Sequence, residues 1–132
     1  MANGISKTIR NKLLDHLLKK TAFVQPEHIY IGLFTTMPDA DGLGGQEVLG
    51  LNYVRVLADN WDAAAEGSAA NTDTISFQTP GLDGWGTIVG FGVFDTLAAG
   101  TLLFKGLLGA DKLTTQGDSL YFSPGQIVLN LQ

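Results

Sequence analysis

The chain has 132 residues, of which 45% are hydrophobic and 16% charged, with no cysteine and a formal net charge of −5; this is the composition of a single domain, residues 1–132. Without thiols there can be no disulfide framework, Cys-ligated zinc, thiolate nucleophile or iron–sulfur cluster. Charge is segregated: residues 1–20 hold Lys7, Arg10, Lys12, Lys19 and Lys20 against Asp15, a net +4, while residues 21–132 hold three basic and twelve acidic residues, a net −9 that would repel nucleic acid.

The opening Met1-Ala2-Asn3-Gly4 leads into a basic, broken apolar pattern without the continuous run of a secretory signal. No stretch reaches the roughly eighteen apolar residues a spanning helix needs, so a soluble protein with no membrane partner is expected. From Ser6 to Lys20 the apolar residues Ile9, Leu13, Leu14, Leu17 and Leu18 draw one helical stripe. Ser6 serves as N-cap, Lys19 and Lys20 suit the negative end of the dipole, and Pro26 marks the exit into extended chain. A helix of about fifteen residues is marginal alone in water. Its leucines therefore need a partner, either this chain's own sheet or a neighbouring subunit.

Beyond Pro26 the apolar period changes to two. Ile29, Ile31 and Leu33 alternate with Tyr30, Gly32 and Phe34, giving a strand buried on both faces. Further strands are predicted at 53–57, 74–78, 87–94, 101–105, 119–122 and 126–131, with a short one at 47–49. Gly, Pro, Asp and Asn separate them at spacings typical of an antiparallel β-sandwich of about seven to eight strands, jelly-roll-like, covering 27–132. Pro80-Gly81-Leu82-Asp83-Gly84 and Ser123-Pro124-Gly125 read as turns. Gly90 and Gly92 leave one face of the 87–94 strand bare, admitting a bulky neighbour such as the helix leucines. Two long segments, 37–50 and 59–73, read as loops suited to contact.

Chemistry finds little support. The two histidines, His16 in the helix and His28 before the first long strand, anchor no motif, and the serines at 6, 68, 76, 119 and 123 lack an adjacent base. No nucleophile elbow, zincin motif or phosphate loop occurs. In the acidic segment 39–47, Asp39, Asp41 and Gly44 match EF-hand positions one, three and six, but Leu43 and Gly50 fall where a ligand and the bidentate Glu belong. A solvated loop is the expected reading, with calcium held by Glu47 or outside carboxylates as the alternative. Trp85, between two glycines at a strand entrance, reads as core; Trp61, in a long loop, is open to core or contact.

Three stretches carry a family likeness: Asn11–Leu18 followed by Ile29-Tyr30-Ile31-Gly32-Leu33-Phe34-Thr35-Thr36-Met37-Pro38; Gly50-Leu51-Asn52-Tyr53-Val54-Arg55, a G-x-x-Y-x-R element; and Trp85–Asp95 with Gly117-Asp118-Ser119-Leu120-Tyr121-Phe122. Together they resemble a family of small tailed-bacteriophage virion proteins of the head-decoration or tail-fibre kind, over nearly the whole chain. The resemblance implies a structural, non-enzymatic role without cofactors, Tyr53, Trp85 and Phe91 in the core, and Asp95 and Asp118 at turns.

The expected function is a capsid decoration or cement protein that bridges the major capsid protein and stabilises the shell. The alternative is a tail, collar or fibre-associated component bound to neck or tail proteins, with receptor or glycan binding if Trp61, Trp85 or Tyr53 forms an exposed cluster. Either reading places the protein in the virion, assembled in the host bacterial cytoplasm, as a homo-oligomer, a trimer by analogy with threefold decoration proteins. The expected interaction surface comprises Lys7, Arg10, Lys12, Lys19, Lys20, Trp61, Asp39 and Asp41, the basic helix docking on an acidic neighbour.

Overall fold

The computed structural model describes residues 4–39 and 42–131; Asp41 lies outside the described residues. A two-residue strand β1 (Gly4–Ile5) leads into helix α1 (Lys7–Leu18). Long strands follow at β2 (Tyr30–Thr36), β7 (Gly86–Phe94) and β8 (Leu102–Thr114), with short ones at β3 (Gln46–Glu47), β4 (Val56–Leu57), β5 (Ser68–Ala70), β6 (Ile75–Ser76), β9 (Tyr121–Phe122) and β10 (Val128–Asn130). The fold is mainly β and antiparallel, with one helix and ten strands among the described residues.

The largest sheet runs in the order β1-β8-β7-β2-β3, with β4 also paired to β2. Ile31 opposes Val93 and Leu33 opposes Phe91 across the β2–β7 ladder, and all four are buried. Against this face pack two small antiparallel ladders, β6 with β9 and β10 with β5. Their Ile75, Phe122 and Leu129 join the same core, and the Phe91 and Phe122 rings meet edge to face across the layers at 6.0 Å. Two facing layers of alternating strands are what burial of one apolar face per sheet requires.

The opposite face of β2 and β7 is pared down by glycine. Gly32 lies directly across from Gly92. A Cβ on Gly32 would stand 2.7 Å from Glu47 Oε2 and 2.9 Å from Tyr53 Oη; one on Gly92 would stand 2.6 Å from the Phe34 ring. The expectation that helix leucines fill this bare stripe is therefore corrected: Phe34, Phe94 and Leu102 close over Gly92, and Met37 lies on Gly90.

Other boundaries shift for identifiable reasons. Tyr53 and Arg55 lie outside strand β4, because Asn52 turns at φ 73° and both side chains are committed to a tertiary network. Strand β8 runs nine residues past its predicted end at Lys105. The Gly109-Ala110-Asp111 stretch forms an irregularity in the β7–β8 register, between Ile88 opposite Lys112 and Gly90 opposite Leu107, the kind of bulge that blunts an exposed edge. β1 and β5 have no counterpart in the predicted elements; both are too short for a periodic signal. The turns at 80–84 and 123–125 are as expected, with Asp83, Gly84 and Gly125 at positive φ.

Candidate interaction surface

Helix α1 is built as its caps dictate. Ser6 Oγ accepts the Ile9 N–H at 3.3 Å, and at the other end the Lys19 and Thr21 N–H groups both donate to the Asp15 carbonyl while Lys20 turns at φ 60°. The helix is rooted by β1: Ile5 pairs with Phe104, and the Ser6 N–H donates to Leu103 O at 2.8 Å. Ile9 is buried and Leu13 packs partly against the core. The remaining leucines are not covered: Leu14 is 54%, Leu17 65% and Leu18 74% exposed. The chain's own sheet thus takes only the first half of the stripe. Lys7, Arg10, Lys12, Lys19 and Lys20 lie on or next to this helix, all exposed.

An apolar groove of about 260 Å³ opens between the layers. Its floor comes from the sheet, with Val93, Leu103 and Phe104, and its walls from Ile29, from Trp61 and Ala64 in the 59–73 segment, and from Ala69, Leu129 and Leu131 beside the β5–β10 ladder. Trp61 is half-buried; its indole N–H donates to Ala58 O at 2.7 Å, so the polar edge of the ring is satisfied internally and its apolar body is left to line the groove. The small side chains Ala64 and Ala69 keep the groove open. No charged side chain lines it, but Asp62 and Glu66 stand in the same segment as Trp61, and no Lys or Arg occurs from residue 56 to residue 104.

On the glycine-bared face, the G-x-x-Y-x-R residues form a closed network. Arg55 Nε and Nη2 donate to the two oxygens of Glu47 at 2.9 and 2.7 Å, and Nη1 donates to the carbonyls of Thr96 and Ala99. Tyr53 Oη donates to Glu47 at 2.6 Å and accepts the Leu33 N–H; burial and the Glu47 carboxylate push its phenol pKa well up. Asp95 Oδ1 accepts the Thr101 N–H and Asp118 Oδ2 that of Thr115, fixing two turns and, for Asp118, holding the carboxyl pKa down.

The remaining expected site residues are dispersed. Asp39 Oδ1 accepts the Leu43 N–H, and the Asp39 N–H donates to the Leu43 carbonyl. Glu47, the carboxylate expected to supplement a calcium loop, is held by Arg55 and Tyr53. Among the described residues no three His, Asp or Glu side chains converge in metal-ligating geometry. Trp85 is 5% exposed with its indole N–H on Leu51 O, and Tyr53 packs edge-on against it at 5.3 Å. Trp85, Tyr53 and Trp61 therefore form no exposed aromatic cluster. The groove itself is not legible in the sequence: its floor and walls come from five separated segments, and only Trp61 and the run of alanines at 63–65 hint at it.

The sequence matches the family described as Podophage GP4 fiber I protein gp80 over residues 4–130, and the chain belongs to that family of phage virion fibre proteins. A search of curated proteins found no match.

Proposed function

We propose that this member of the fibre family is a non-enzymatic structural component of the tail or fibre apparatus of a tailed phage, present as a homo-oligomer and joined to other virion proteins. The family match over nearly the whole chain carries this reading, and it supports the fibre-associated role over capsid decoration. The distribution of polar chemistry agrees with it. Among the described residues the best-buried charged group, Arg55, is spent on Glu47 and backbone carbonyls that tie the fold together, while the exposed leucines of α1 and the Trp61 groove offer apolar surface suited to protein contact.

The experiment is a count of copies per particle by quantitative mass spectrometry against the major capsid protein, with fractionation of disrupted virions into head and tail. A few to a few dozen copies that travel with the tail are expected. Hundreds of copies on emptied heads would overturn the fibre role and restore a shell-stabilising one.

A further inference from the structure

We infer that the exposed leucine face of helix α1 docks in the Trp61 groove of a second copy of this chain, so that the fibre subunit assembles by a head-to-tail contact with itself. The inference deepens the fibre reading, on whose multi-copy assembly it rests. Both halves of the contact are present in one chain. The knob is Leu14, Leu17 and Leu18, aligned on one side of the helix and uncovered by its own sheet. The hole is the groove floored by Val93 and Leu103 and walled by Trp61 and Leu129. At about 260 Å³ it lies below the roughly 300–1,000 Å³ usual for small-molecule pockets, and it suits aliphatic side-chain anchors of a helix laid in a groove.

Charge selects the occupant. The helix brings Lys12, Lys19 and Lys20 beside its leucines, and its first turn carries Lys7 and Arg10 with no acid. Cations there run against the helix dipole. Two such helices would repel one another, which disfavours a helix-to-helix bundle. The groove offers the opposite surroundings: Asp62 and Glu66 belong to the same segment as Trp61, the only Lys or Arg between positions 21 and 104 is Arg55, buried against Glu47, and His28 beside Ile29 is paired with Asp59. The helix does not fill its own groove. Its root lies beside Phe104, yet the three leucines remain exposed and outside the lining. A contact between two different patches on identical chains closes into a ring when the rotation permits, giving a cyclic oligomer.

The test uses light scattering and native mass spectrometry of the full chain with two variants at exposed positions. One carries Leu17→Glu and Leu18→Glu; the other carries Ala64→Arg in the groove wall. The native chain is expected to be oligomeric at micromolar concentration and each variant monomeric with an unchanged circular dichroism spectrum. Mixed, they should form a one-to-one heterodimer through the intact helix of the groove variant and the intact groove of the helix variant. Reversing Lys19 and Lys20 to Glu should weaken assembly at least tenfold, and adding Glu66→Lys should recover part of it. A native oligomer that Ala64→Arg leaves intact, or two variants that fail to pair on mixing, would overturn the inference. So would a native chain that is monomeric at high concentration; if that chain still travels with the tail in the particle, the fibre reading stands and the leucine face belongs to another virion protein.

Discussion

Arg55 and Glu47 form a two-pronged ion pair, at 2.7 and 2.9 Å, with the guanidinium 3.6 Å from the centre of the Phe94 ring. The Arg55 side chain is 7% exposed and that of Glu47 24%, so the pair stands where water can replace little of what either partner loses. Removing one member leaves the other stranded; breaking such a buried pair costs about 3–5 kcal/mol. Glu47→Ala should therefore lower the urea midpoint sharply, and the double substitution Glu47→Leu, Arg55→Met should recover much of the loss. A double variant as unstable as the single one would mean that the carbonyl bonds to Thr96 and Ala99, and not the ion pair, dominate.

Gly32 lies at the foot of the same network. Adding a methyl group there meets Glu47 Oε2 and Tyr53 Oη at under 3 Å, and both atoms are fixed by short hydrogen bonds. Gly32→Ala should cost about 1–3 kcal/mol, the range for overpacking a filled site. Gly109→Ala is the control: nothing lies within 4 Å of the added carbon, and a shift within about 0.5 kcal/mol is expected. Equal denaturation midpoints for the two variants would show that the bared face yields to a side chain.

The parts of this molecule that follow periodic rules are legible in its sequence. The alternation from Ile29 to Phe34 announces β2, and Ser6 with Ile9, Leu13 and Leu17 announces α1 with its cap. The helix is shorter than predicted, ending at Leu18, because Lys19 and Lys20 belong to its C-terminal turn. What lacks a local signal is what two distant segments make together. Trp61 could not be assigned to core or contact, because its role depends on Leu129 and Phe104, far away in the chain. Nor does a G-x-x-Y-x-R element reveal that its Arg reaches across to the carbonyls of Thr96 and Ala99.

Asn71 ties the 59–73 segment to the C-terminal turn. It is 3% exposed, its Nδ2 donates to the carbonyls of Asp73 and Ser123, and its Oδ1 accepts the Ile127 N–H at 2.9 Å. Every side-chain polar atom is matched, and each partner stranded in the interior costs about 1–3 kcal/mol. Asn71→Ala should destabilise by at least about 3 kcal/mol. Asn71→Asp keeps the bond from Ile127 but turns a carboxylate toward two carbonyls, so its deficit relative to the native chain should shrink as acid protonates it. A deficit independent of pH would show that water enters to separate these groups.

His28 and Asp59 provide a pH-sensitive contact at the surface. Nδ1 of His28 lies 2.7 Å from Asp59 Oδ2, and Asp59 Oδ1 accepts the Ile29 N–H. The Asp59 hydrogen bond raises the His28 pKa above its ordinary value of 6.5, and the same bond lowers that of Asp59 below 3.8. A raised folded pKa means that the His28 contribution is complete below about pH 6.5 and fades as pH rises through the folded value; a lowered one means that the Asp59 contribution is complete above about pH 3.8 and fades as pH falls through its folded value. The pair thus adds most to stability between these limits. NMR titration should give His28 a higher midpoint in the native chain than in Asp59→Asn. The stability difference between the native chain and His28→Gln should be larger at about pH 5.5 than at about pH 9, and a difference that is the same at both would refute the ion-pair assignment.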